Sequence, residues 1–294
     1  DIVGLMPGDK IIAINGEDAY KITKTEVFEK LRGRKGTEVN VTIGRIGLSK
    51  PFDVTIIRDN IPIYSVGAAT MIDEKTGYIF LRRFSATTEK EVVKAIDTLL
   101  SQGMERLLFD LRGNSGGLLE QAAAISNQFI TTADTLVYTQ GKIKESNQVF
   151  IGNPAKGNKS YSLIVMINRG SASASEIVSG AVQDLDRGLV LGETSFGKGL
   201  VQRQLPLNTG AAIRVTIARY YTPSGRLIQR PYEDESDLAY YRELYATDRE
   251  SKIDSLKELR PKYKTKSGRT VYGGGGITPD IYVPYKNSIS LETS

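Results

Sequence analysis

The sequence contains no histidine and no cysteine. Without cysteine there is no disulfide, no thiolate nucleophile and no zinc–thiolate site, and the redox compartment leaves no trace. Without histidine the Ser-His-Asp and Cys-His arrangements and most catalytic zinc sites fall away. Covalent catalysis then has a serine paired with a lysine, a lysine Schiff base, a carboxylate or an N-terminal threonine to draw on. The sequence starts at Asp1 and so offers no such threonine. No apolar run approaches ~18 residues, so no membrane-spanning helix is expected. No secretory signal is visible. The 39 basic and 34 acidic residues leave a net charge of +5. They form no dense basic run, which reads as a solvated mixed surface and not as a nucleic-acid footprint. No metal and no cofactor is implied.

What is present reads as two domains, a soft prior of about 150 residues per domain for a chain of 294. Residues 1–60 form a small module. DIVGLMPGDKIIAING carries a turn at Pro7–Gly8–Asp9 and a hairpin signal at Asn15–Gly16. KTEVFEKLRG spaces Val27, Phe28 and Leu31 for one helix face, with Gly33 as its stop. EVNVTIGRI and PFDVTII alternate as strands, and Arg58–Pro62 reads as a linker. From about Ser65 strands and helices alternate, which predicts an α/β core with crossover connections over residues 61–294. Residues 233–262 are charged and helical in pattern, a surface insertion in that core.

Three stretches are candidates for chemistry. LLFDLRGNSGG (107–117) runs a strand into a glycine-rich loop, which aims backbone N–H groups at whatever lies above it; a tight turn needing flexible glycines is the plainer reading. GETSFGKGLVQ (192–202) nearly spells a phosphate-binding P-loop. Gly199 stands where the Ser/Thr ligand of Mg²⁺ belongs, and LVQRQLPL has strand character where a helix should open, so nucleotide binding is rejected. RGSASASEIVSGAVQDL opens a helix with small side chains. Ser173-x-x-Glu176 matches a capping box, so a serine that merely caps competes there with a nucleophile.

Taken together these are parts of a Ser-Lys hydrolase. A lysine base must have its pKa brought from about 10.4 to near 7, and burial has that sign. Lys198 suits the demand: it sits between Gly197 and Gly199, beside Phe196, Leu200 and Val201, with no acidic neighbour in sequence.

At this point the residues resemble a known family. "GLMPGD.I..ING" with "G..V.VTI.R" is similar to the later part of a PDZ domain, whose preceding loop and strand would belong upstream of Asp1. DLRGNSGG, NRGSASASEI, GETSFGKGLVQ, YYTPSGRLIQ and GGGITPDI, in that order, resemble the carboxy-terminal processing peptidases (tail-specific proteases) of serine peptidase family S41. The resemblance implies a ClpP/crotonase-like core behind a partial N-terminal PDZ domain. It implies Ser173 as nucleophile, Lys198 as base 25 residues on, and Gln202 as the group orienting the lysine. Ala174 and one of Gly116 and Gly117 would form the oxyanion hole. Asp184, about three helical turns past Ser173, would act indirectly or structurally. Ser115, Ser171 and Ser175 read as loop and packing serines, and Tyr221, Thr222 and Pro223 as a family motif without an assigned role. Four residues along a strand should return Lys198 and Gln202 to one face. The implied enzyme cuts protein or peptide substrates with accessible C-terminal tails, its PDZ domain capturing the tail, in a bacterial periplasm or cell envelope. Homo-oligomerisation stays open. The rival readings are a non-catalytic tail-binding scaffold and a crotonase-like acyl-CoA enzyme, which has no use for a Ser-Lys pair.

Overall fold

A computed structural model describes residues 3–61, 63–156, 161–232 and 237–284. The chain divides into two compact units, residues 1–63 and 64–294. In the first, β1 (Lys10–Ile14), β2 (Glu17–Asp18), α1 (Lys24–Leu31), β3 (Glu38–Gly44) and β4 (Phe52–Ile57) form an antiparallel sheet in the order β2-β1-β3-β4, with one helix. Asn15 and Gly16 take φ of 50° and 81°, the left-handed pair that a two-residue hairpin turn requires. Period-two alternation places Val39, Val41 and Ile43 of β3 on one face, where they bury with Ile14.

Helix α1 ends at Leu31 with Gly33 just beyond it, Arg32 leaving the helix in an extended conformation. One expectation for this unit is corrected. The Arg58 guanidinium donates to the carbonyls of Lys30 and Leu31 at 3.0 and 2.8 Å, so it closes the end of the helix and belongs to the module, not to a linker. Pro62 lies outside the described residues.

The second unit opens with β5 (Val66–Met71), β6 (Thr76–Leu81), α2 (Thr88–Ser101), β7 (Arg106–Asp110), α3 (Leu119–Phe129), β8 (Thr135–Gln140) and β9 (Val149–Ile151). It continues with β10 (Ser162–Ile167), α4 (Ala174–Asp184), β11 (Leu189–Gly192), β12 (Leu200–Pro206) and β13 (Ala212–Tyr221). Helices α5 (Asp237–Tyr245) and α6 (Arg249–Leu256) follow, then β14 (Lys262–Lys264), β15 (Thr270–Tyr272) and β16 (Ile281–Tyr282). The helices occupy much of the charged 233–262 stretch, of which residues 233–236 lie outside the described residues.

A six-stranded sheet runs β16-β11-β10-β7-β6-β5, parallel except for β5 at its edge. A four-stranded antiparallel sheet runs β12-β13-β8-β9. Strands β7 and β10 read as near-continuous apolar runs because helices cover the sheet, and Leu107, Phe109, Leu163, Val165 and Ile167 are buried in the core. Helix α4 has no exposed residue and packs on α3, β10 and β11.

The parallel register decides where chemistry can collect. Met166 lies opposite both Asp110 of β7 and Leu191 of β11. The loops leaving β7, β10 and β11 therefore start side by side at the carboxyl ends of adjacent strands, where open α/β sheets place their sites. DLRGNSGG, the serine run and GETSFGKG are those three loops.

Phe129, at the end of α3, is fully buried and meets the Phe109 ring edge-to-face at 5.2 Å between centroids. Phe129→Ala is expected to lower unfolding stability by about 3–5 kcal/mol through the cavity it leaves. A urea midpoint within error of the unaltered chain would show that the cavity collapses.

Candidate active site

The serine run is fixed before any hydroxyl in it is free to react. Asn168 accepts the Gly113 and Gly170 N–H groups at 2.9 and 3.0 Å. Ser171 Oγ donates to the Leu111 carbonyl at 2.8 Å, and Ser175 Oγ to the Asn114 carbonyl at 2.8 Å. Two of the three serines thus knit the loop after β10 to the loop after β7.

Ser173 stands apart. It caps α4 with φ 56° and ψ −113°, a left-handed-side conformation that a non-glycine residue holds only where its surroundings impose it. Gly116 (φ +99°) lies directly against it: a Cβ there would come within 2.6 Å of the Ala172 carbonyl and 2.8 Å of Ser173 Cβ. The Gly116 N–H donates to Asn114 Oδ1 at 2.9 Å. By contrast, the N–H groups of Gly117 and Ala174 have no acceptor among the described residues.

The residue that organises the site looks in the sequence like part of a helix cap and nothing more. Glu176, on the first turn of α4, is fully buried. Its Oε1 accepts Ser195 Oγ at 2.5 Å and the Gly197 N–H at 2.7 Å. Its Oε2 accepts the N–H groups of Ser173 at 2.8 Å and of Lys198 at 2.9 Å. A single carboxylate therefore binds the backbone of Ser173 to that of Lys198. Burial pushes its pKa above the ordinary carboxylate range, while the four donors favour the ionised form.

Tyr220 makes a second tie, from β13. Its buried hydroxyl donates to the Lys198 carbonyl at 2.6 Å and lies 3.1 Å from the Ser173 carbonyl. Burial, with the nearby Glu176 charge, raises its pKa well above the phenol value, which keeps it a neutral donor. Only strand parity could have found it: Ala218 and Tyr220 share the buried face of β13.

Lys198 is half-buried, and its Nζ donates to Gln202 Oε1 at 3.5 Å. No hydrogen bond joins Nζ to Ser173 Oγ. The segment after Lys198 is strand, as the rejection of a P-loop requires, but simple alternation does not bring Lys198 to Gln202. β12 starts at Leu200, so Lys198 stands before the strand, and the register shift between Val201 and Gln202 leaves its extra residue, Ile217, on β13. The flanking glycines are closely packed. A Cβ on Gly197 (φ +88°) would meet Arg230 Cβ at 3.0 Å, and one on Gly199 the Gln229 N at 3.0 Å.

Asp184 lies at the far end of α4. Its carboxylate accepts from Arg226 at 2.7 Å and from the Ser224 N–H and Oγ at 3.0 and 2.7 Å, and both side chains of the ion pair are fully enclosed. It anchors the TPSGR turn after β13, while Thr222 of that turn packs on α4 at Gly180. The chain beyond the turn reaches the lysine loop, where the Arg230 N–H donates to the Gly197 carbonyl and Gln229 accepts the Gly199 N–H. Among the described residues no group of three or more carboxylates converges as a metal site.

Glu176→Gln keeps the shape but turns an N–H toward two of the four donors, stranding them at about 1–3 kcal/mol each. We expect a lower urea midpoint and at least about a tenfold loss of turnover, since small displacements of reacting groups are costly. Unchanged kinetics would remove Glu176 from the site. Asp184→Ala leaves the buried Arg226 charge without its carboxylate, and is expected to cost about 3–5 kcal/mol in unfolding stability. A loss of activity without a loss of stability would instead bring Asp184 into the chemistry.

Both parts of the chain match known protein families. The peptidase family S41 model matches residues 75–235, and the PDZ domain model residues 1–44. The carboxy-terminal-processing protease of Bartonella bacilliformis is 38% identical over 230 residues, 77% of this chain and 52% of that protein. Carboxy-terminal processing protease CtpA of Bacillus subtilis is 35% identical over 227 residues, 77% of this chain and 48% of that one. The chain thus spans about half the length of these curated relatives. Among solved structures, the photosystem II D1 C-terminal processing protease has a similar fold, with a TM-score of 0.53 at 24% identity over 96% of this chain and 64% of that one. On the match over residues 75–235, the chain belongs to peptidase family S41.

Proposed function

We propose that the chain is a serine endopeptidase that cleaves protein substrates near their C-termini through Ser173 and Lys198. The observation that carries this reading is the Glu176 carboxylate, which ties the backbones of one serine and one lysine together where the chain has no histidine to serve as base. A binding module has no need of that link. Ser173 Oγ attacks the scissile carbonyl carbon while the unprotonated Lys198 Nζ takes the hydroxyl proton. The lysine moves from Gln202, its present partner, toward Ser173. Charge developing on the carbonyl oxygen is met by the Ala174 and Gly117 N–H groups; Gly116 is spent on Asn114 and shapes the wall. The ammonium returns its proton to the leaving amine, and the acyl-enzyme is released by a water whose proton Lys198 accepts.

The nucleophile helix after β10, with the glycine loop of the neighbouring parallel strand beside it, supports a ClpP/crotonase-like core. The PDZ match over residues 1–44 supports capture of a substrate's C-terminal tail through that domain. Action in the periplasm or cell envelope belongs to the same reading, carried by the resemblance of the motifs. No described helix is long and apolar enough to cross a membrane.

An unstructured protein with an apolar tail, incubated with the chain and read by mass, should be cut near its C-terminus. Ser173→Ala should abolish cleavage with the fold intact. Lys198→Arg should be nearly as damaging, because a guanidinium keeps its proton. Cleavage by the alanine variant would move the nucleophile elsewhere, and normal turnover by the arginine variant would move the base.

A further inference from the structure

The segment 193–199, which joins β11 to β12 and carries Lys198, is gripped from two sides. On its inner side Glu176 holds Ser195, Gly197 and Lys198. On its outer side lies α6. Arg249, 1% exposed, donates from its two terminal nitrogens to the consecutive carbonyls of Thr194 and Ser195, each at 2.7 Å. Glu250 accepts the Thr194 N–H at 3.2 Å and Oγ1 at 2.9 Å, and pairs with Arg249 at 3.2 Å. Helix α5 adds to the grip: the Leu244 carbonyl accepts from Arg169, whose guanidinium pairs with Glu193 at 3.1 Å, and Tyr240 packs edge-on to Phe196.

A helix that only covered a core would place an aliphatic side chain where Arg249 stands. An enclosed guanidinium is costly, and this one leaves Nε without a hydrogen-bond partner. What it supplies that an apolar side chain cannot is orientation, since a rigid planar fork on two adjacent carbonyls fixes both peptide planes. Those planes lie three and four residues before Lys198.

We propose that the α5–α6 pair is a clamp that sets the geometry of the lysine loop, with Arg249 and Glu250 as positioning residues. The consequence for turnover rests on the peptidase reading; the clamp itself does not. The test combines hydrogen exchange of the 193–199 amides with kcat and KM on a quenched peptide, for the unaltered chain, Arg249→Met and Arg249→Lys. In Arg249→Met the amides of Ser195 to Lys198 should exchange faster, and kcat should fall about tenfold or more with KM within about twofold, as for a misplaced reacting group. Arg249→Lys, which keeps the charge but loses the fork, should fall between. Unchanged exchange and kcat in a folded Arg249→Met overturn the proposal. Should that variant fail to fold, Glu250→Gln decides by the same readings: faster exchange at Thr194 with reduced kcat supports the clamp, and unchanged values overturn it. Exchange that quickens in the variants while the unaltered chain cleaves nothing overturns the peptidase reading and leaves the clamp standing.

Discussion

The site depends on one buried carboxylate. Glu176 accepts four hydrogen bonds, two on each oxygen, from groups on both sides of the proposed cleavage centre. Only an acceptor without protons of its own can take four donors, which is why a carboxylate stands where an amide of the same shape would fail. Among the described residues no cation pairs with it at ion-pair distance. Its charge is met by hydrogen bonds and by the amino end of α4, on whose first turn it lies. Removing such a charge from water is tolerable only with its hydrogen-bonding capacity filled, and filling it is what fixes the two backbones together. The strained Ser173 and the closely packed Gly197 and Gly199 are local conformations that this constraint holds in place.

Much of this architecture is legible in the sequence because it rests on period and punctuation. The Asn15–Gly16 hairpin, the apolar strands β7 and β10, and the strand after Lys198 all follow from side-chain spacing and residue type. The three glycine- and serine-rich loops are visible too, though only register brings them to one edge of the sheet. What stays hidden depends on contacts between distant segments. Glu176 reads as half of a capping box because its other partners lie about twenty residues on. Tyr220 reads as one tyrosine of a pair. Arg58 looks like linker until its guanidinium is seen closing α1. Asp184 could be read as indirect from its distance along the helix, but its partner Arg226 lies on a turn that no local pattern connects to it. The proposed preference for Gly117 over Gly116 rests on which N–H Asn114 already takes.

The polar interior has a division of labour. The Asp184–Arg226 pair holds the turn after β13 to the far end of α4, and Tyr220 on that strand reaches back to the near end. The charged stretch that looks like surface decoration sends Arg249 inward. Each contact aims at backbone as often as at side chain, so what is being specified is the path of the chain, with side-chain chemistry carried along.

The order of the motifs along the chain has a consequence for when the parts meet. A chain made only as far as β12 already contains Ser173, Glu176, Lys198 and Gln202, with the β10–α4–β11 crossover that sets them side by side. It lacks Tyr220, Gln229 and Arg230, the α5–α6 helices, and the Ile277 carbonyl and N–H that bracket Ser195. These later segments supply most of the outer wall of the lysine loop. The residues of the proposed centre are encoded early and the elements that immobilise them late, so an unfinished chain carries those residues without the frame that sets their geometry.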